Sequence, residues 1–428
     1  MESTKYDIIV IGAGMAGLLT AYYLQEQGKR VLVLEASEIA SGQTGRTTAK
    51  ITSQHGLKYS KLIETVGIEK ARLYARANEA AIKEYGRLIQ SKGIECHFEE
   101  APAYLYTLEN PVLLREEARA ASLLGIDAFF TMETELPFEV AGAVCFRHQA
   151  QFSALEFMEH IASELEIQTH TQVKKLKGNK VITKDAVLSA DKIVVATHYP
   201  LRNVPGFYFL RQHQERSYVL ALSGCERIKG MYLGIDKEGL SLRQLKDVLL
   251  LGGSSCRTGN NRIGGAYEKL RQAAEQYFPN SKEEAHWAAQ DCMPHDGIPF
   301  IGRYSIFMPN LYVITGFQKW GMTSSMIAAL ILRDEMCGVR NPFAKLFTPQ
   351  RINCKAAIGS LMTDIGVSVK GLFGGVICRR KPRCPHMGCE LVWNPEEESW
   401  DCPCHGSRFE SDGRLLDNPA KKGMERKE

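Results

Sequence analysis

The beginning of the chain alternates between apolar runs and a stretch of mixed polarity. Residues 7–11 form an apolar run of the kind found in strands buried in a parallel sheet. Residues 18–27 read as a helix that ends at Gly28, and residues 30–34 form a second apolar run. This order predicts a strand, a helix and a second strand, which is the βαβ unit of a parallel sheet.

Glycines occupy the turn between the predicted first strand and helix. Gly12, Gly14 and Gly17 form a GxGxxG motif. The first allows a tight turn, the second lets the backbone approach a pyrophosphate, and the third permits close helix–strand packing. Glu35 follows the second strand, where it can accept hydrogen bonds from a ribose hydroxyl. The unit predicts a dinucleotide site, and the motif alone does not separate FAD from NAD.

Three later segments add to this prediction. Residues 41–52, SGQTGRTTAKIT, carry glycines, hydroxyls and Arg46, which can donate to further cofactor oxygens. Residues 190–200 form an apolar strand that ends in a turn of small residues, and residues 296–332 read as strand, loop and helix. A helix N-terminus aimed at a flavin stabilises negative charge on the reduced ring. The residues predicted at that N-terminus are Gly316, Gly321, Met322 and Thr323.

Two further segments suggest an antiparallel sheet. Residues 216–222, RSYVLAL, alternate as in a half-exposed strand, and residues 252–259 end another strand. Cationic or aromatic side chains near such a sheet can hold a substrate carboxylate or favour charge on a reduced flavin. The candidates to line the reactive face of a flavin are Arg46, His55, Tyr218, Arg257, Lys319 and Trp320.

Residues 1–345 resemble the FAD-dependent oxidoreductases of the D-amino-acid oxidase (glycine oxidase-like) family. The matching elements are GAGMAG, Glu35, the VVAT strand, the DGIPFIG segment and the TGFQKWGMT helix start. The resemblance implies FAD, a Rossmann-like FAD-binding domain with an antiparallel substrate domain, and oxidation of a small amine or amino-acid-like substrate. It also implies cofactor contacts from Gly12, Gly14, Gly17, Glu35, Arg46, Thr47, the Val173 backbone and the stretch from Gly316 to Thr323. Thr47 could equally be a helix cap, and Val173 a core residue.

Cysteine and histidine are concentrated near the end of the chain. Cys384 and His386 are followed by Cys402 and His405, in the pattern C-x-H and C-x-x-H. Two thiolates and two imidazoles can hold a 2Fe–2S cluster, with sulfur ligands on one iron and nitrogen ligands on the other. The same donor types also form zinc sites, which is the alternative.

Both motifs together resemble the Rieske proteins. The resemblance assigns Cys384 and Cys402 to one iron and His386 and His405 to the other. It also implies a disulfide between Cys389 and Cys404, as in the respiratory type. Two features depart from the family. The strands before the first motif look curtailed, to about residues 371–383, and Phe409 stands where high-potential members carry a tyrosine. Loss of that hydrogen-bond donor predicts a lower reduction potential.

The predicted fold class is α/β plus β, with a small abridged Rieske β domain after the flavoprotein. The predicted limits are 1–345 for the oxidoreductase, 346–370 for a linker and 371–428 for the Rieske domain. Within the oxidoreductase, the FAD-binding parts are about 1–75, 145–205 and 291–345, and the substrate parts are about 76–144 and 206–290.

Composition narrows the possible partners. A net charge of +4 over 428 residues gives no reason to expect a nucleic acid partner. The sequence shows no signal peptide and no apolar run of about 18 residues, which predicts a cytoplasmic protein without a transmembrane segment. A basic run near the cluster motifs could dock an acidic electron-transfer protein, or it could be a solvated loop and tail. Its members are Arg379, Arg380, Lys381, Arg383, Lys421, Lys422, Arg426 and Lys427.

The combined expectation is a flavin-dependent oxidoreductase. Electrons would pass between FAD and the Rieske cluster and on to a protein acceptor. Two alternatives stay open: an amine or amino acid oxidase that uses oxygen and keeps the cluster for structure, and a redox sensor or electron carrier without catalytic activity.

Overall fold

The computed structural model of the chain describes residues 5–353 and 382–424, with isolated positions between them. Those isolated positions are 355, 357, 359, 361–364, 366, 367 and 371. Eight helices have the following bounds: α1 Met15–Gln25, α2 Tyr59–Val66, α3 Ile68–Lys92, α4 Val112–Leu123, α5 Ala154–Ser163, α6 Ala266–Tyr277, α7 Gly321–Met336 and α8 Ala344–Phe347. Residues 361–364 are helical as well.

The described strands fall into four sheets. Their bounds are β1 Lys5–Ile11, β2 Val31–Leu34, β3 Lys50–Ile51, β4 Glu99–Glu100, β5 Ala103–Thr107, β6 Ala128–Thr131, β7 Gly142–Phe146, β8 Ala150–Gln151, β9 Ile167–Gln168, β10 Lys175–Lys177, β11 Lys180–Ile182, β12 Val187–Val195, β13 Gln212–Ser223, β14 Met231–Gly234, β15 Ser241–Leu245, β16 Val248–Arg257, β17 Lys282–Pro294, β18 Phe300–Ser305, β19 Met308–Thr315, β20 Val392–Asn394, β21 Ser399–Asp401, β22 Arg408–Glu410 and β23 Leu415–Asp417.

The first sheet is the predicted parallel α/β sheet. Strands β12, β1, β2 and β9 run parallel in that order, and β19 joins the other side of β12, also parallel. Their apolar residues are buried on both faces, since α1 and α7 pack against one side and a second apolar cluster that includes Tyr208 covers the other. The βαβ prediction for the first residues is therefore confirmed.

The second sheet is largely antiparallel and has the order β17-β13-β16-β15-β14-β5-β7-β6. Strands β13, β16 and β17 form its long central part, with Tyr218 paired to Gly253 and Ala288. Its buried face packs against α6. The alternating pattern of residues 216–222 thus belongs to a strand of this sheet, as predicted.

Two of the predicted domain limits fall inside packed structure. Helix α3 crosses residue 75, and its later half stays with the FAD-binding part, since the Tyr85 hydroxyl donates to the Met322 carbonyl of α7 at 3.0 Å. The described residues of the predicted linker are not free either. Phe347 is fully buried, and Arg351 forms a buried ion pair with Asp296. The chain remains attached to the flavoprotein body as it leaves α8.

A four-stranded antiparallel sheet, β20-β21-β22-β23, supports the last part of the chain. Its small core contains Leu391, Phe409 and Met424, together with the cysteines of both motifs. Residues 372–381, which include most of the segment predicted to hold curtailed strands, lie outside the described residues. So do Arg379, Arg380, Lys381, Arg426 and Lys427 of the basic run. Among the described helices, none combines the length and apolarity needed to span a bilayer.

Candidate cofactor sites

A cavity of about 1310 Å³ lies at the carboxyl ends of the parallel strands. Ile11, Leu34 and Thr315, the last residues of β1, β2 and β19, line it, and so does Ala196, which directly follows β12. Strands of the antiparallel sheet form the facing wall, through residues such as Tyr218. The carboxyl edge of a parallel sheet is where ligands bind in open α/β folds.

The glycine loop between β1 and α1 is shaped for close approach. Gly12 has φ +108°, and a Cβ atom there would lie 2.5 Å from the Ala196 carbonyl oxygen. A Cβ atom at Gly17 would lie 1.9 Å from the Gly12 carbonyl oxygen, so α1 can pack against the loop only without a side chain there. The Glu35 carboxylate accepts hydrogen bonds from the backbone of Ala13 at 2.8 Å and Ser37 at 2.9 Å. The acid is thereby fixed beside the loop.

Most residues predicted to contact the dinucleotide line this cavity. They are Gly12, Gly14, Glu35, Arg46, Thr47, Val173, Gly316, Gly321 and Met322. Gly17 lies beneath the glycine loop instead, where its role is packing. Thr323 is buried behind the start of α7, with its hydroxyl 3.3 Å from the Thr52 carbonyl oxygen, because the first turn of that helix points the side chain away from the cavity.

The loop that leads into α7 has an unusual backbone. Gly316 has φ +82°, and a Cβ atom there would lie 2.4 Å from Pro294 Cγ. Gln318 and Lys319 follow with φ +53° and +73°, a conformation that costs energy for residues other than glycine. Lys58 Nζ donates to the Gln318 side chain at 3.0 Å and holds the loop in place. Strain of this kind concentrates at ligand sites.

Of the residues predicted to line the reactive face of a flavin, Arg46, Tyr218, Lys319 and Trp320 line the cavity. The Tyr218 hydroxyl accepts a hydrogen bond from Asn261 at 2.8 Å, and Lys319 Nζ lies 3.1 Å from Glu215 Oε2. His55 is behind the cavity, stacked on Trp320 with ring centroids 4.7 Å apart. Burial lowers the pKa of His55, so its ring is neutral.

Arg257 does not line the cavity, contrary to the sequence-based expectation. Its guanidinium donates to the carbonyl oxygens of Pro403 at 2.9 Å and Cys404 at 3.1 Å, and it forms an ion pair with Asp364. The side chain leaves the end of β16 toward the cysteine-rich loops. Its role is to fasten those loops to the flavoprotein body.

Lys50 is a cavity residue that the sequence reasoning missed. Its Nζ donates to the Tyr232 carbonyl oxygen at 2.9 Å and to Ser241 Oγ at 2.7 Å, both on the antiparallel sheet. Among the described residues, no carboxylate lies within ion-pair distance of it. Burial and, to a smaller extent, the charge of nearby Arg243 together lower the pKa of Lys50 to about 7. In the sequence, Lys50 is one lysine among small residues and gives no signal of its own.

The second candidate site is formed by two loops, residues 384–389 and 402–407. Cys384 and Cys402 are buried, and the rings of His386 and His405 have centroids 5.0 Å apart at 90°. Burial lowers the pKa of His386 to about 4 and of His405 to about 3, so both imidazoles are neutral, as metal ligands must be.

Two orphaned atoms test whether these loops fit a cluster. The Nδ1 atoms of His386 and His405 are buried, and neither has a hydrogen-bond partner within the described part of the chain. A buried polar atom without a partner is costly unless it binds an ion. Two neutral imidazole nitrogens beside two buried thiols therefore fit the 2Fe–2S donor set.

Neighbouring residues hold the two loops together. Cys389 and Cys404 form a disulfide between them, with Cα atoms 6.7 Å apart. The Ser407 hydroxyl accepts from the Ala420 backbone at 3.0 Å and also contacts the Cys384 sulfur. Phe409 is completely buried in the small core. The outer nitrogen of His386 lies 2.9 Å from Asn203 Oδ1 of the flavoprotein, and His405 packs edge-on against Phe209.

The two sites share a wall. Gln214 Nε2 donates to the His405 carbonyl oxygen at 2.7 Å, and Gln214 Oε1 lies 3.2 Å from Nε2 of His198, which lines the large cavity. Gln290 Nε2 donates to Gln214 Oε1 at 2.7 Å and to the Gly406 carbonyl oxygen at 2.9 Å. Residues of the cluster domain also line the cavity directly: Glu397, Glu398, Arg408, Glu410, Ser411, Leu415, Leu416, Asp417, Asn418, Ala420 and Lys421.

Comparisons with known proteins agree with both sites. Residues 7–335 match the model of the DAO family, FAD dependent oxidoreductase, and residues 371–426 match the Rieske [2Fe-2S] domain. A Rieske 2Fe-2S iron–sulfur protein of Bacillus subtilis, YhfW, is 33% identical across 99% of this chain and 93% of its own length. A cytochrome b6-f complex iron–sulfur subunit of Nostoc is 49% identical across 9% of this chain and 21% of its own length.

Solved structures match the flavoprotein part of the fold. L-proline dehydrogenase of P. horikoshii has TM-score 0.68 and 16% identity, covering 81% of this chain and 97% of its own. Glycine oxidase of Geobacillus kaustophilus has TM-score 0.68 and 17% identity, covering 81% and 99%. The chain therefore belongs to the DAO family of FAD-dependent oxidoreductases and carries a C-terminal Rieske domain, with FAD and a 2Fe–2S cluster as its cofactors.

Proposed function

We propose that this flavoprotein oxidises a small amine that carries a carboxylate, and that electrons pass between its FAD and its Rieske cluster and on to a protein acceptor. FAD supplies two-electron oxidation of a C–N bond, and the 2Fe–2S cluster supplies exchange of single electrons. The residues of the chain bind and orient the substrate, exclude water and hold the two centres together.

The shared wall is the observation that carries this proposal. The cluster domain contributes Asp417 and Lys421 to the same cavity that contains the glycine loop. Buried Gln214 and Gln290 connect the cavity wall to the loop that carries His405. A cluster that only stabilised its own domain would not require that domain to line the cavity of the flavoprotein. The arrangement supports electron exchange inside one chain.

We also propose which residues contact each cofactor. The glycine loop and the Met15 end of α1 would hold the pyrophosphate, Glu35 the ribose, and the loop from Gly316 to Gly321 the flavin ring. Cys384 and Cys402 would bind one iron, and His386 and His405 the other. The buried Nδ1 atoms of both histidines support this assignment.

Lys50 is the group we assign to the substrate carboxylate. It reaches the cavity from β3 and has no carboxylate partner among the described residues. The solved structures with a similar fold are named for oxidation of L-proline and glycine, which both carry a carboxylate beside an amine. A charge-assisted hydrogen bond from Lys50 would orient such a substrate. Arg46, four residues earlier in the chain, is another cation that lines the cavity.

An anaerobic titration tests the proposal. Purified protein with measured flavin and iron would be mixed with glycine, L-proline and iminodiacetate in turn, and followed by absorbance and by electron paramagnetic resonance. We expect one of these compounds to bleach the flavin bands and then produce the signal of a reduced His₂Cys₂ cluster. Ferricenium would then reoxidise the cluster and allow repeated turnover.

A variant without the cluster separates the proposal from its main alternative. In Cys402→Ser, substrate should still reduce the flavin, and turnover with ferricenium should slow at least tenfold. Reoxidation by oxygen at an equal rate in the variant and the parent, faster than turnover with ferricenium, would instead establish an oxidase in which the cluster is structural. Failure of all three compounds to reduce the flavin, with both cofactors present, would contradict the assigned substrate class.

A further inference from the structure

A second group of metal-binding side chains lies beside the cluster loops. His213 is on β13, His295 directly follows β17, and Asp364 is on the helical turn 361–364. His213 Nδ1 lies 3.3 Å from Asp364 Oδ2, and His295 Nε2 lies 3.4 Å from the same oxygen. The three ligand atoms all lie within 4.8 Å of one another. The side chain of His295 is only 4% exposed.

The hydrogen bonding of this group is incomplete. His213 Nε2 lies 3.4 Å from Glu215 Oε1, which engages that side of the ring and leaves Nδ1 facing Asp364. Neither His213 Nδ1 nor His295 Nε2 has a hydrogen-bond partner within the described part of the chain, and both are buried. Buried imidazole nitrogens without a hydrogen-bond partner are costly, and a cation between them and the Asp364 carboxylate would remove that cost.

Arg257 orients the carboxylate. Its guanidinium pairs with Asp364 Oδ1 and also donates to the carbonyl oxygens of Pro403 and Cys404. Oδ1 is thus engaged, and Oδ2 is turned toward the two imidazoles. Glu215 orients His213 from the other side in the same way. Outer partners of this kind are typical of histidine and carboxylate ligands in metal sites.

The distances fit one small ion. Nitrogen and oxygen ligands at about 2.1 Å around a tetrahedral ion lie about 3.4 Å from one another. Two imidazoles and one carboxylate are a donor set that divalent first-row metals accept. We propose that His213, His295 and Asp364 bind one divalent transition-metal cation, Zn²⁺ or Fe²⁺, at a site separate from the 2Fe–2S cluster. A water molecule would complete its coordination.

The site is placed between the two redox domains. Through Arg257 it touches the loop that carries His405, and through Glu215 it reaches Lys319 of the large cavity. A bound ion would therefore fasten the helical turn at Asp364 to strands β13 and β17. This assignment rests on the side chains alone and does not depend on the proposed activity.

Metal analysis of the full-length holoprotein tests the site. Protein with two irons and one flavin per chain would be dialysed against a chelator that leaves the cluster intact, and then titrated with zinc sulfate by calorimetry. Zinc and iron would be counted by mass spectrometry. We expect one zinc ion per chain, with cluster iron and the cluster's magnetic resonance signal unchanged. His295→Ala and Asp364→Asn should each weaken zinc binding at least about 100-fold, since loss of an outer partner alone costs 10- to 100-fold.

His148→Ala is the matched control, because His148 is exposed and also contacts two carboxylates, Glu100 and Asp127. It should leave zinc binding unchanged. Absence of zinc binding to the chelator-treated parent, with flavin and cluster present, would overturn the proposal. The group would then be an ion pair between protonated histidine and the Asp364 carboxylate. Unchanged zinc affinity in His295→Ala would overturn the proposal as well. Should Asp364→Asn lose its cofactors, His295→Gln gives the same test with a smaller change.

Discussion

The two cofactor sites are built in opposite ways. The proposed cluster donors lie on two loops of six residues each, 384–389 and 402–407, which the disulfide between Cys389 and Cys404 joins. The flavin cavity is lined by segments that range from Ile11 to Lys421. A site within short loops depends on local spacing, whereas a site assembled by a whole fold depends on topology. A single substitution of a ligand should therefore disrupt the cluster site, whereas the cavity should be disrupted by changes in packing.

The boundary between the two sites adds a third kind of structure, a network of buried charges. Arg216 pairs with Glu397, and Glu397 also pairs with Arg408 at 2.9 Å. Arg408 contacts Asp401 at 3.0 Å and Asp417 at 3.1 Å. Buried ion pairs add little to stability by themselves, but breaking one leaves a charge without compensation. The network thus fixes the position of one domain against the other.

The largest expected effect is at the cluster. Cys402→Ser removes a proposed ligand, so iron should fall from two per chain to near zero while flavin content stays within about a tenth of the parent. Iron analysis and the flavin absorbance measure this. Cys225→Ser, at a half-buried thiol of the flavoprotein, is the control and should keep both cofactors. Loss of flavin together with iron would show that the sites are not independent.

The next largest effect is at the boundary. Arg216 is 1% exposed, and Arg216→Met leaves the Glu397 carboxylate buried with one cation fewer. Breaking a buried pair costs about 3–5 kcal/mol, and the lower end applies because Arg408 remains. We expect the thermal midpoint of the cluster domain, followed by loss of cluster absorbance, to fall by several degrees. Arg271→Met, at a half-exposed pair with Glu283, should change it little.

Alanine substitutions at two glycines separate the cost of tight packing across the boundary from the cost of backbone strain. Gly406 has φ +84°, and a Cβ atom there would lie 2.6 Å from Gln214 Cβ. Gly388 has φ +81°, with nothing within 4 Å of such an atom. Each alanine should cost about 1–2 kcal/mol of left-handed strain, and Gly406→Ala about 1–3 kcal/mol more for overpacking. Denaturant unfolding checks this, and equal destabilisation of the two variants would contradict tight packing at Gly406.

The smallest effect is a pH dependence at the cavity. Burial lowers the pKa of Lys50 to about 7, so the lysine carries a charge below that pH and loses it above. Binding of benzoate, followed by perturbation of the flavin spectrum, should weaken up to tenfold for each pH unit above about 7. Lys50→Met should bind benzoate weakly at every pH, and Lys50→Arg should bind it without this dependence.

Lys237→Met, at another lysine that lines the cavity, is the control. It should keep the pH profile of the parent. If Lys50→Met binds benzoate with the same pH dependence as the parent, another cation holds the benzoate carboxylate. Arg46 is then the next residue to test.

Sequence reasoning predicted the parts of the molecule whose chemistry is local. The family, the fold class and both cofactors are confirmed, because the glycine loop and the two cysteine–histidine motifs carry their signal in a few residues. The identities of the cluster ligands stay predictions, which the iron analysis of Cys402→Ser tests.

The same reasoning was weak where function depends on distant strands. Arg257 ends a strand of the antiparallel sheet, as predicted, but its side chain turns to the cluster loops, which no pattern in residues 252–259 indicates. Nothing in the sequence marks Lys50, which becomes a half-buried cavity cation because β3 packs beside Ser241. The sequence does not single out Gln214 and Gln290 either, because no pattern of residues indicates that two glutamines will be hydrogen-bonded to each other at the boundary.

The shared wall also bears on how such a protein can evolve. Because Leu416 and Asp417 of the cluster domain line the cavity of the flavoprotein, an exchange of the last fifty residues between relatives would alter substrate selectivity as well as the redox centre. Selection on the flavoprotein cavity therefore also acts on residues of the cluster domain. The two domains are therefore expected to be inherited together, with changes at Gln214 or Asp417 matched by changes across the boundary rather than accumulated independently.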